Sequence, residues 1–243
     1  MRGVPVLQRA GAELAGTFAL VTAGCGAVVV DRATGALGHA GVAASFGLVI
    51  LVMVAALGHV SGAHFNPAVT FAFALNRHFA WRDVPIYVAA QVLGAIAGAW
   101  ALRGLFGAGS GLGATLPAGS VAQAFWIELL LTAVLMFVIT SVATDTRAVG
   151  QLAAIAIGGA VTLDALWGGP ISGASMNPAR SFGPALVSGQ LQAQWVYWLA
   201  PLVGASLGAA LYQMLRREPE RDRSAAPAEP VARPVSGRAR RRS

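Results

Sequence analysis

The chain has 243 residues, 56% of them hydrophobic and only 11% charged, with thirty glycines. A soluble domain usually carries about a quarter charged residues, so this composition excludes a disordered chain, a coiled coil and a disulfide scaffold, and it argues against an ordinary soluble enzyme. The net charge of +7 comes from arginine alone, and nine of the seventeen arginines lie between Arg216 and Ser243, so the excess belongs to a tail and does not mark a nucleic-acid surface.

A membrane-crossing helix needs about 20 apolar residues. Six stretches qualify: 10–30, 42–60, 84–105, 121–142, 150–168 and 195–215. The lone cysteine, Cys25, falls inside the first, where a small buried packing role is expected. Two further apolar pieces, 66–76 and 177–187, are half the required length, about 16 Å each as helices. Broken helices of that kind persist at membrane depth only where protein buries them or where they line a watery cavity. The prediction is an all-α membrane protein of six transmembrane helices plus two re-entrant half-helices.

Six full spans put both ends of the chain on one side. Arg2, Arg9, Arg77, Arg82, Arg147 and the tail arginines then share that side, with Arg32 and Arg103 opposite. The excess of arginine in cytoplasmic segments makes that side the cytoplasm, and the inner (plasma) membrane the location. The expected organisation is a cytoplasmic N-terminus over 1–9, two repeats over 10–110 and 121–215, and a disordered Arg-rich cytoplasmic tail over 216–243.

The repeat is legible in three landmarks. Glu13 precedes Thr17 by four residues, as Glu128 precedes Thr132; Ser61-Gly62-Ala63-His64-Phe65-Asn66-Pro67-Ala68 is echoed by Ser172-Gly173-Ala174-Ser175-Met176-Asn177-Pro178-Ala179; and Gln91-Val92-Leu93-Gly94-Ala95 matches Pro201-Leu202-Val203-Gly204-Ala205. Each unit holds three spans, an odd number, so the second lies inverted in the membrane. Inverted repeats place a substrate path at their shared interface near the midplane.

Asparagine is a strong N-cap and proline is favoured at the first helical position, so each half-helix should begin at Asn66 or Asn177. Inversion then brings two helix N-termini, both partial positive ends, to one point in the membrane. A cation meets repulsion there, while a neutral molecule can accept hydrogen bonds from the asparagine amides. The Ser-Gly-Ala stretches before each cap are expected to be extended, with carbonyls lining the path.

At this point the chain resembles the aquaporin (major intrinsic protein) family, in its bacterial water-channel type, from about Glu13 to Leu215. The carrying residues are Glu13, Gly58 to Thr70 with Asn66-Pro67-Ala68, Glu128, and Gly169 to Pro184 with Asn177-Pro178-Ala179-Arg180. The resemblance implies a pore within each subunit, a homotetramer, no cofactor, no metal and no catalytic group. It implies a central constriction at Asn66, Pro67, Ala68, Asn177, Pro178 and Ala179, and an outer selectivity filter of Phe46, Ala165, Ala174 and Arg180. His64, Gly62, Ala63, Gly173 and Ser175 are implied to line the pore, and Glu13 and Glu128 to brace the loops.

Strict water channels of the family carry histidine where this chain has Ala165, and glycerol channels place a second aromatic there. Ser181, Ala185 and the pair Tyr197-Trp198 favour the water branch. The reading is a passive, non-enzymatic channel that conducts water, with small neutral solutes, and excludes ions and protons. Its partners are other copies of itself, the bilayer and its permeants, with no nucleic acid. The alternatives are a glycerol, metalloid or ammonia facilitator of the same family and, from another class, a secondary transporter. Asp164 is expected to face either a neighbouring helix or a vestibule, and His59 either to pack in its loop, the preferred reading, or to act as a cytoplasmic pH-sensitive group.

Overall fold

A computed structural model describes residues 3–144 and 152–216; Arg2, Arg147, the first residues of the expected fifth span and all of the tail beyond Arg216 lie outside them. The described chain runs through α1 (Val6–Leu20), a π-helical turn (Val21–Cys25), α2 (Gly26–Thr34), α3 (Gly38–Ser61), α4 (Pro67–Leu75), α5 (Val84–Phe106), α6 (Val121–Thr144), α7 (Ala153–Ser172), α8 (Pro178–Ser188) and α9 (Val196–Leu215). Six apolar helical units are long enough to cross a membrane, α1 and α2 counting as one with the π turn between them. α4 and α8 have 9 and 11 residues, too short to cross. This is an integral membrane protein. Leu48, Val52, Leu93, Leu163 and Leu207 are exposed on its outside, which suits hydrocarbon and not water.

Glycines set the helix contacts, and they come in equivalent pairs. A Cβ on Gly94 of α5 would collide with the Leu14 carbonyl of α1; a Cβ on Gly204 of α9 would collide with the Leu129 carbonyl of α6. Where the two repeats meet, Gly47 of α3 abuts the Gly158 carbonyl of α7, and Gly158 abuts the Gly47 carbonyl in return. Such reciprocity is what a pseudo-twofold axis in the membrane plane requires. Without a hydrophobic drive between helices in lipid, close backbone approach at small residues supplies the packing.

The half-helices interleave the repeats. α4 packs on α9 of the second repeat, and α8 packs on α5 of the first. Gly183 makes the second contact possible, since a Cβ there would overlap the Ala95 backbone. The π turn is not foreseen from sequence. It brings Gly24 under the Phe46 ring and Cys25 against Gly113, and Cys25 is free and buried there.

The same methyl group should therefore have opposite consequences at two sites. Gly204→Ala is expected to destabilise the protein by about 1–3 kcal/mol through overpacking. Gly159→Ala, where nothing lies within 4 Å of the new Cβ, should raise the melting temperature of the detergent-solubilised protein slightly, because alanine loses less conformational freedom in a helix than glycine. Equal melting temperatures for the two would contradict this packing.

Candidate permeation pathway

Each half-helix starts where the sequence predicts. Asn66 and Asn177 are N-caps in extended backbone, with Pro67 and Pro178 at the first helical position. Asn66 Oδ1 accepts from the Ala68 N–H at 2.9 Å, and Asn177 Oδ1 accepts from the N–H groups of Ala179 and Arg180 at 3.0 and 3.2 Å. The amide nitrogens reach across the repeat interface. Asn66 Nδ2 donates to the Met176 carbonyl at 2.7 Å and Asn177 Nδ2 to the Phe65 carbonyl at 2.8 Å. The two tips therefore meet head to head. Each NH₂ has two hydrogens and these bonds use one.

The stretches before the caps are not extended, contrary to expectation. Gly62, Ala63 and Phe65 have φ of 88°, 50° and 49°, and Gly173, Ala174 and Met176 have 87°, 42° and 54°. The cause is a buried carboxylate on each side. Glu13 accepts hydrogen bonds from Ser61 Oγ, the His64 and Phe65 N–H groups and Gln91 Nε2 at 2.6–3.0 Å. Glu128 accepts from Ser172 Oγ and from the Ser175 and Met176 N–H groups at 2.6–2.8 Å. Successive N–H groups wrapped round one anion form a concave nest, which demands left-handed residues. Because N–H and C=O of a peptide point oppositely, the carbonyls of Ala63, His64, Ala174 and Ser175 are turned away from the carboxylates.

Two cavities follow. The inner one is walled by residues of both repeats, among them Asn66, Asn177, His64, Phe46, Arg180 and Ala174, with Gly62, Ala63 and Ser175 also on its wall. The outer one takes in Phe46, Ala165, Gly173 and Arg180. Phe46 and Arg180 line both, so the two cavities adjoin at these residues, with Ala174 on the inner wall and Ala165 on the outer. Pro67, Ala68, Pro178 and Ala179 are buried behind the asparagines, off both walls. Arg180, 3% exposed, donates from Nη1 to the Gly113 carbonyl at 2.9 Å and stands 4.8 Å over the Phe46 ring. Asp164 is 1% exposed and lies outside both walls, so of its two expected settings it has the helix-facing one. His59 is exposed and not packed in its loop.

Sequence reasoning missed several supports. Tyr87 and Tyr197 donate from their hydroxyls to the Ser61 and Ser172 carbonyls at 2.8 and 2.7 Å. They stand at the same separation as the matched Gln91 and Pro201, so the repeat could have revealed them. Gln91 itself has no such twin, and Gly113 sits in a Gly-rich loop that gives no signal.

This arrangement defines a class: a transmembrane channel built from an inverted repeat with two re-entrant half-helices meeting at its centre. The Major intrinsic protein family model matches residues 1–212, and the chain belongs to that family, the aquaporins. It is 52% identical over 215 residues to "Aquaporin NIP1-1" of Oryza sativa subsp. japonica, covering 88% of this chain and 76% of that one. It is 50% identical over 215 residues to "Nodulin-26" of Glycine max, covering 88% and 79%. These relatives are plant proteins, not bacterial ones. Among solved structures it is similar to the aquaglyceroporin from Plasmodium falciparum, with TM-score 0.75 and 27% identity over 86% of this chain and 96% of that one.

Hydrogen bonds to a charged acceptor contribute about 1.5–3 kcal/mol each. Glu128→Gln presents an NH₂ to N–H donors and should lower both the melting temperature and the water flux per channel. A variant that melts and conducts like wild type would remove the carboxylate from its bracing role.

Proposed function

We propose that the chain forms a homotetramer in the plasma membrane with both termini cytoplasmic, each subunit conducting water and small neutral solutes passively. Orientation rests on arginine placement: Arg9 pairs with Asp83 at 2.8 Å, joining the first and third spans at the arginine-rich end, while Arg103 bonds the Val187 carbonyl at the other. The reading is carried by one observation, the two asparagine-tipped helix ends meeting at a cavity that adjoins the outer one at Phe46 and Arg180.

In this reading Asn66 and Asn177 form the central constriction, with Pro67, Ala68, Pro178 and Ala179 supporting them. Phe46, Ala165, Ala174 and Arg180 form the filter. Glu13 and Glu128 brace the carbonyl rows, beside which Gly62, Ala63, His64, Gly173 and Ser175 line the pore. Ions lose hydration and face two helix N-termini and the Arg180 charge. A neutral molecule exchanges water hydrogen bonds for asparagine donors and carbonyl acceptors. Ala165 and Ala174 bring only methyl groups to the filter, which supports passage of solutes somewhat larger than water. That the relatives bear aquaporin names, and the structural neighbour is an aquaglyceroporin, supports the same breadth.

Stopped-flow measurements on reconstituted vesicles test this. Water permeability should exceed that of empty vesicles, with glycerol or ammonia uptake measurable and no saturation or ion coupling; dependence on an ion gradient would favour a transporter. Ala165→His should lower the solute-to-water ratio, and an unchanged ratio would take Ala165 out of the filter. Arg180→Ala is expected to raise proton or cation leak at constant protein content, and a leak equal to wild type would deny the guanidinium its repelling role.

A further inference from the structure

The outer mouth carries a group that neither the repeat nor the two asparagine motifs accounts for. Asp31, at the end of α2, accepts from the backbone N–H groups of Leu37 and Gly38 at 3.1 and 2.7 Å. That folds the connecting loop back and sets His39 in the first turn of α3. From there the imidazole crosses to α7, and its Nε2 lies 2.7 Å from the Leu166 carbonyl. Its ring lies over Gly169, where a Cβ would come within 2.8 Å of Cε1. Glycine at this position leaves the ring its place. His39 thus shares the wall of the outer cavity with Ala165, Phe46 and Arg180, and its partner Leu166 stands one residue along α7 from the filter position that lacks an imidazole.

The chemistry of the ring follows from its partner. A carbonyl oxygen only accepts, so Nε2 must carry the hydrogen, and in the neutral imidazole Nδ1 then bears a lone pair. No described residue donates to Nδ1. Arg180 offers only donors and His39 offers an acceptor, both on one cavity wall. Water and a hydroxyl both donate and accept, but a polyol carries several hydroxyls on one frame and can meet the donor and the acceptor with one molecule.

We propose that His39 is a specificity-determining residue of the outer mouth, its Nδ1 accepting from the hydroxyl groups of a neutral solute whose oxygens take donors from Arg180. The inference rests on the reading of the chain as a solute-conducting channel. His39 lies just outside the narrow point and adds an acceptor without narrowing it. Discrimination at this place favours polyols over water, because one polyol molecule can meet His39 and Arg180 with two of its hydroxyls, beyond what the width of the filter decides.

The test reads the ratio of glycerol to water permeability in vesicles containing the full-length protein. One hydrogen bond at the mouth corresponds to about a three- to tenfold change. His39→Phe keeps the ring's bulk and removes both nitrogens, so the ratio should fall by that factor. His39→Gln keeps a donor for the Leu166 carbonyl and an acceptor beside it, and should recover most of the ratio. Gly169→Ala displaces the ring without removing it and should move the ratio in the direction of the Phe variant, which keeps the test available if that variant fails to fold. An unchanged ratio in His39→Phe or Gly169→Ala overturns the proposal, as does an equal fall in the Phe and Gln variants, which would mark a structural role. Wild-type vesicles that pass neither water nor glycerol overturn the channel reading, and this inference with it.

Discussion

Two stretches of irregular backbone lie at membrane depth in this molecule, where water cannot satisfy them, and the fold depends on how their N–H groups are paired. An unpaired buried peptide group costs several kcal/mol in hydrocarbon, so an open loop of this kind would not survive alone. One carboxylate per loop resolves the problem. Glu13 gathers the His64 and Phe65 N–H groups and Glu128 gathers those of Ser175 and Met176. Once the donors turn towards the anions, the carbonyls must turn the other way. The carbonyl rows proposed to line the pore are thus a by-product of satisfying the donors, and the left-handed residues mark where the backbone curls to do it.

The second constraint is mutual completion. Neither repeat closes a path by itself. The Asn66 amide needs the Met176 carbonyl and the Asn177 amide needs the Phe65 carbonyl, while each half-helix beds on the third span of the opposite repeat. A cut between the repeats would leave two helix tips with unpaired groups and two exposed grooves. This explains why the equivalent glycines matter in pairs. A shift at the α3–α7 crossing would move both asparagines relative to each other, and the distances that hold them vary by only tenths of an ångström between the two halves.

Much of this was legible in the chain because strong local rules coincide with it. Asn-Pro at a helix start is a cap whatever surrounds it, and apolar length reports spans directly, so the half-helices and six crossings emerge without tertiary knowledge. The repeat offset marks the inversion and relates Tyr87 to Tyr197 as well. What escaped depends on contacts distant in sequence. The curled backbone before each cap arises from a carboxylate about fifty residues away, so local pattern suggested extension instead. The π turn at Val21–Cys25 answers to the Phe46 ring and the Gly113 backbone, neither of which leaves a mark on its own residues.

In the proposed filter, width and charge rejection fall to separable parts. Four elements supply the residues proposed for it, with Phe46 from α3, Ala165 from α7, Ala174 from the loop before Asn177, and Arg180 from α8. The guanidinium takes its posture from the Gly113 carbonyl and the Phe46 face, and Ala165 contributes nothing to holding it. The side chain at position 165 can therefore vary in size and polarity while the charge stays fixed, whereas any change at Gly113 or Phe46 would move the charge itself. On the proposed assignment, the filter can be retuned for neutral solutes by one substitution on α7 without admitting ions, because the dipoles and the arginine proposed to reject them are anchored elsewhere.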